Sequence, residues 1–413
     1  MSKRLSDSHV TSQPAPAVQT QENRTGSAQA EFYPRLESLR GIAALMVAAM
    51  HAAQSRWAEN AILLGQAPDW NHPVWGSLFR LYRTVANGHS AVIVFFVLSG
   101  FVLAGSIDRG PHRLLPATRR FFTGRVFRLY PAIVSTLLIF VLVYRVWGGA
   151  IGSQGPQDYS FVSVLRNMLL LDASIDGVMW TLQLEVIAIP VIFAVTLAQR
   201  RYGAGITLVV ALVLVVLSFW GQWTKLLDDA PTLAPLYAFV FGVAVHRLAP
   251  PLLGRLHGRW LAVFFFAMVL MFFTARPLFG LFTKWSPIFE SAAAAGIIAA
   301  LAYGGTASFA RSLDWPVFRF YGRISYSFYL LHPLTLILMW KMPDQLSWLL
   351  QRGVPGVVIA FGLAVVSTVA ITPLAWLSWR YVEVPGIAAG KRFLPRKPPR
   401  REQPAQLPTG ATW

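Results

Sequence analysis

The stretch ANGHSAVIVFFVLSGFVLAGS, residues 86–106, contains no Asp, Glu, Lys or Arg. About 20 mostly apolar residues in a row are enough for a helix to cross the hydrocarbon layer of a bilayer. Inside lipid every backbone N–H and C=O must be paired within the protein, so such a run reads as a helix and not as an open strand. Comparable runs recur along most of the chain, near 40–57, 126–147, 179–199, 203–220, 232–249, 259–275, 288–305, 322–341 and 354–379. Several approach the lower spanning limit of about 17 residues, so short or tilted helices are expected. The fold class expected is all-α: a polytopic membrane helix bundle of about ten transmembrane helices. Composition agrees. Hydrophobic residues make up 55% of the chain, charged residues 13%, and mean hydropathy is +0.50, whereas a soluble domain carries roughly a quarter charged residues.

The net charge is +18, and its placement decides what it means. The basic residues gather in IDRGPHRLLPATRRFFTGR, QRRYG, HRLAPPLLGRLHGR, ASFARSLDWPVFR and KRFLPRKPPRR. All five fall on one side if both termini are cytoplasmic, as the positive-inside rule requires. The opposite loops include DYSFVSVLRNMLLLDASIDG and KLLDDAPT, which hold most of the loop acids. No separate basic domain offers a face that could track phosphates, so nucleic acid is not an expected partner. The bilayer is. Residues 1–31 are polar, have no signal-peptide apolar region and read as a disordered cytoplasmic tail. Residues 32–386 form the membrane domain, and 387–413 a basic, proline-rich cytoplasmic tail. There is no cysteine, which excludes disulfides, thiolate metal sites and any S-acyl relay.

Five constellations carry polar groups into the apolar runs. In RLESLRGIAALMVAAMH, residues 35–51, Arg40 and His51 are eleven apart. Eleven steps of 100° return a helix to nearly the same face, about 16 Å further along. An arginine at the mouth can hold an anion or snorkel; a histidine at depth can exchange protons or simply pack. In FFTGRVFRLYP, residues 121–131, Arg125 and Arg128 share a helical face, with Arg119 and Arg120 just upstream. Paired guanidinium groups grip phosphate oxygens, though positive-inside flanking also places arginines here.

In GVMWTLQLEVIAIPVIF, residues 177–193, Glu185 sits inside an apolar helix. It is a candidate to orient His51 or to neutralise a neighbouring cation. In FYGRISYSFYLLHPLTLIL, residues 320–338, Ser325, Tyr326, Ser327 and Tyr329 crowd one helix, and Pro333 after His332 should bend it and release a carbonyl. Tyr326 and His332 are substrate-side candidates, while the serines also suit interhelical hydrogen bonding. The last, VIVFFVLSGFVLAGS, has a Ser99–Gly100 pair that permits close helix approach, and His89 precedes it as a weaker acceptor-side candidate. In RYVEVP, residues 380–385, Arg380 and Glu383 are spaced to pair with one another. The histidines lack a ligand spacing with carboxylates, so no metal is expected.

RLESLRGIAALMVAAMH, VIVFFVLSGFVL, RVFRLYP, WTLQLE, ISYSFYLLHP and RYVEVP occur in that order. Together they resemble the acyltransferase-3 family of integral membrane acyltransferases, which includes bacterial O-antigen and exopolysaccharide O-acetylases. The resemblance covers about residues 32–386. It implies transfer of an acyl group, usually acetyl, from cytoplasmic acyl-CoA to a hydroxyl of a carbohydrate acceptor, in the bacterial inner membrane. The family's Arg-x10-His motif falls on Arg40 and His51, with the histidine essential to transfer. Its Arg-x-x-Arg motif falls on Arg125 and Arg128, at the CoA end, and its intramembrane glutamate on Glu185. His51 would act as general base or as a transient acyl carrier. The alternative from another class is a polytopic carrier of glycans or lipid-linked sugars, with the polar groups lining its path.

Overall fold

The computed structural model describes residues 33–53, 72–111, 113–147, 159–221, 233–256, 258–280, 283–304, 308–340 and 348–393, and among these there is no strand. The helices are α1 (Pro34–Ala53), α2 (Pro73–Val85), α3 (Gly88–Asp108), α4 (Leu114–Trp147), α5 (Phe161–Met168), α6 (Trp180–Tyr202), α7 (Gly205–Ser218), α8 (Leu236–Leu253), α9 (Arg259–Phe279), α10 (Trp285–Tyr303), α11 (Pro316–Trp340), α12 (Gly356–Ser378) and α13 (Val384–Arg392). A π-helical turn, Trp379–Glu383, joins α12 to α13.

Eight segments of the described chain are long and apolar enough to cross a membrane. Two of the ten expected spans differ from these. α7 has 14 residues, about 21 Å of helix and short of a bilayer core. α11 has 25 residues, but its first half carries GRISYSFY and is too polar to qualify. Helix α2 was not foreseen. It is strongly amphipathic, burying Phe79 against Ile359 and Ala360 of α12 while Val74, Leu78, Leu81 and Val85 face outward.

Helix ends also shift what the motifs mean. α1 begins at Pro34, so Arg40 lies in its second turn and His51 is two residues from its last. His51 therefore sits near the end of the described part of α1, about three turns from Arg40. α4 begins at Leu114, so Arg119 and Arg120, expected in a loop, ride on the same helix as Arg125 and Arg128. The Arg380–Glu383 pair does not form among the described residues. The π turn advances each residue by less than an α turn does, leaving Arg380 exposed and turning the buried Glu383 toward Ser327 Oγ at 3.2 Å.

Glycine sets the closest helix crossings. A methyl group on Gly322 of α11 would strike the Glu37 carbonyl of α1, and one on Gly41 would come within 2.6 Å of the Gly322 nitrogen. A methyl on Gly100 of α3 would strike the Phe239 carbonyl of α8, and one on Gly242 the Val97 carbonyl. Small residues let backbones touch where lipid gives no hydrophobic push between helices. The Ser99–Gly100 expectation holds on this contact.

The two ends of the bundle are tied by ions. At the basic end, Asp108 of α3 accepts from Arg200 of α6 at 3.0 Å and from Arg247 of α8 at 3.0 Å, with His246 Nε2 at 3.1 Å. There too Asp314 receives Arg35 through two nitrogens, at 3.2 and 2.9 Å, and Arg319 at 3.1 Å. Those hydrogen bonds, Arg35's first, hold the Asp314 carboxyl below its usual range. At the opposite end, Arg276 of α9 meets the fully buried Glu290 of α10 at 2.7 and 3.0 Å, and Ser90 of α3 donates to the same carboxylate. The stretch 159–179, ahead of α6, is held by buried Asn167, whose side-chain oxygen accepts from the Ile175 amide at 3.1 Å.

Candidate functional site

Five helices, α1, α3, α4, α6 and α11, enclose a cavity of about 230 Å³. Its wall includes Arg40 from α1, Ser99 from α3, Arg125 and Arg128 from α4, Glu185 from α6 and Tyr326 from α11. The remainder is mostly apolar, including Phe95, Phe96, Leu129 and Leu182. In its wall three guanidinium groups thus face one carboxyl group, that of Glu185, while the buried Glu383 lies near enough to attract Arg40 and Arg128. Arginine stays protonated under all ordinary conditions. Among the described residues none of the three forms an ion pair within 4 Å, although Arg40 and Arg128 lie close enough to repel each other. Glu185 instead accepts a hydrogen bond from Ser99 Oγ at 3.2 Å. Like charges held together in a partly dry cavity favour an incoming anion, and guanidinium geometry suits phosphate.

The hydroxyls of α11 divide between scaffold and cavity. Tyr326 donates its proton to the Leu129 carbonyl at 3.0 Å, which leaves its oxygen only lone pairs to offer a ligand. Tyr329 reaches the Val178 carbonyl at 3.3 Å and the Thr181 hydroxyl at 3.1 Å. Ser325 Oγ is buried at the cavity wall with no hydrogen-bond partner. Such an oxygen costs free energy unless something arrives to bond it.

His51 and His332 do not line this cavity. They meet each other, His51 Nδ1 lying 2.8 Å from His332 Nε2 with the ring planes 8° apart. His332 is fully buried, and its ring packs against the ring of Tyr329, which does line the cavity. The His–Pro pair explains the geometry. Pro333 has no N–H, so the carbonyl four residues earlier, that of Tyr329, loses its helical donor. His332 Nδ1 takes that place at 2.7 Å. A carbonyl only accepts, so this nitrogen carries the proton. In the neutral pair His332 Nε2 is then an acceptor, and His51 Nδ1 must be the donor. The lone pair of His51 therefore resides on Nε2, the nitrogen turned away from His332. A general base needs its basic nitrogen fixed in this way.

The structure therefore groups the site residues differently from the sequence reading. Arg40, Arg125, Arg128, Glu185 and Tyr326 share the cavity. His51 and His332 form a separate pair, one turn of α11 beyond Tyr329. Glu185 does not orient His51: its carboxyl group is held by Ser99, and the Nδ1 of His51 is held by His332. Ser99, Ser325 and Tyr329 also line the cavity, where the sequence pattern alone points to helix packing and interhelical hydrogen bonds. No metal-like cluster of His, Asp and Glu occurs among the described residues. His89 is exposed at the start of α3.

A family model described as an acyltransferase domain, Acyl_transf_3, matches residues 33–377. The search of curated proteins found no match, and neither did the search of solved structures.

Proposed function

The chain belongs to the acyltransferase-3 family and is a membrane acyltransferase; from that premise we propose that it moves an acyl group, acetyl first of all, from acyl-CoA to a hydroxyl of a glycan. The basic end of the bundle faces the cytoplasm of a bacterium, in keeping with the positive-inside rule. The cavity with three arginines that form no ion pair within 4 Å among the described residues carries this reading. An acyl-CoA offers what the cavity lacks: phosphates for Arg40, Arg125 and Arg128, and a long uncharged arm for the apolar wall. That arm leads the thioester past Tyr329 toward the histidine pair.

At the far end His51 Nε2 takes the proton of the acceptor hydroxyl as its oxygen bonds to the thioester carbon. The C–S bond breaks, and the proton passes to the departing CoA thiolate. His332 holds the imidazole in the required tautomer throughout. Positioned acid–base catalysis of this kind contributes roughly 10²–10⁴-fold. With no cysteine in the chain, the thiol chemistry is confined to the donor.

The test is mass analysis of surface glycans from cells with and without the gene, complemented by the parent or by His51→Ala. Loss of acetyl ester without the gene, restored by the parent and not by His51→Ala, is the expected result. Glycans that are absent from the surface but unchanged in acylation would favour the carrier reading instead.

A further inference from the structure

A second cavity of about 230 Å³ opens at the basic end, between α4 and α13. Arg120, Arg125 and Lys391 line it, with no acidic residue in the wall among the described residues. Arg125 is shared: the same side chain lines this cavity and the central one. The nearest end of α3 brings Asp108 into the neighbourhood, but Arg200, His246 and Arg247 already occupy that carboxylate. Among the described residues Arg120, Arg125 and Lys391 have no ion-pair partner. Phe121 and Phe193, stacked at 5.4 Å, supply an apolar wall. Gly124 leaves the space beside Arg125 open, since a methyl group there would meet nothing within 4 Å.

Resting on the donor assigned above, we infer that this second cavity is a subsite for the 3′-phosphorylated ribose of CoA. The diphosphate sits at Arg125, the side chain common to both cavities. The pantetheine arm runs inward from there, and the nucleotide end turns outward onto Arg120 and Lys391. A phosphate dianion gains from each added cation, and the 3′-phosphate would be the group read here. The same chemistry would also suit the phosphate of an anionic lipid, so the test is built to separate the two.

The experiment is direct binding to the purified full chain in nanodiscs of phosphatidylcholine alone, titrating CoA, dephospho-CoA and phosphopantetheine. The parent should bind CoA about tenfold more tightly than dephospho-CoA, the worth of one good charge-assisted contact. Arg120→Ala and Lys391→Ala should each weaken CoA to the dephospho-CoA level and leave dephospho-CoA itself little changed. Gly124→Leu, whose side chain enters open space, should weaken CoA and leave phosphopantetheine as it was; it also keeps the test valid if a charge variant misfolds. Variants that bind CoA as the parent does, or a parent that treats CoA and dephospho-CoA alike, overturn the subsite. An effect of Arg120 and Lys391 that emerges only when phosphatidylglycerol is added makes this a lipid site and overturns it too. Binding as expected in a protein that transfers no acetyl group would leave the subsite standing and remove the transferase reading; a parent with no affinity for CoA removes both.

Discussion

His332 is the residue whose meaning changed most between sequence and structure. It packs in the core, fully buried, with one nitrogen on a carbonyl that Pro333 stripped of its donor and the other on His51. Its replacement separates packing from tautomer control. Gln can still accept from His51 Nδ1–H, so His332→Gln should keep a substantial part of the transfer rate. His332→Leu, similar in bulk but without an acceptor, should lose about 10²-fold or more in kcat with little change in KM for the donor, the scale of a misdirected general base. Equal losses in both variants would reduce His332 to packing. Asp176, near the opposite end from the basic loops, makes a pH prediction. Burial pushes its carboxyl well above the ordinary 3.8, and Oδ2 has no hydrogen-bond partner. The folded protein therefore keeps this proton where the unfolded chain has lost it. The stability so gained is complete below pH 3.8 and fades as the pH climbs through the raised value. Thermal unfolding in detergent should show Tm falling over that rise, and Asp176→Asn should flatten the slope.

At the scale of helices, two kinds of contact fix where the cavity lies. Gly41 and Gly322 bring α1 and α11 into backbone contact, which sets Arg40 opposite Tyr326. Gly322→Ala forces a methyl against the Glu37 carbonyl and should cost about 1–3 kcal/mol, the usual range for overpacking. Gly124→Ala, in the same kind of helix but facing space, should be neutral or stabilising by about 0.5–1 kcal/mol; comparing the two midpoints checks the argument. Arg276→Ala would strand the buried Glu290 and should cost about 3–5 kcal/mol. Sequence served well at this scale wherever periodicity and run length decide the outcome. The apolar runs, the Ser99–Gly100 contact and the carbonyl released by Pro333 were all legible. The π turn after Trp379 was not, because no local pattern distinguishes it from α-helix, and with it went the expected Arg380–Glu383 pair. The partners of Glu185 and His51 were also hidden: Ser99 is 86 residues from Glu185 and His332 is 281 from His51, and only the packing of whole helices joins them.

For the molecule as a whole, the asymmetry of charge is the feature that orients it. The lack of cysteine makes this simple to check, since any introduced thiol will be the only one. Leu115, at the start of α4 on the basic end, is 80% exposed, and Phe161, at the start of α5 on the other, is 81% exposed. An impermeant maleimide added to intact spheroplasts should label Phe161→Cys at once and Leu115→Cys only after the membrane is opened. The reverse order would invert the topology and place the arginine cavity on the wrong face for a cytosolic thioester.

Three guanidinium groups lining one cavity attract small anions as well as large ones. If the proposed donor binds there, inorganic phosphate or sulfate should compete with it, so that CoA titrations in such buffers give weaker binding than titrations in HEPES at matched ionic strength.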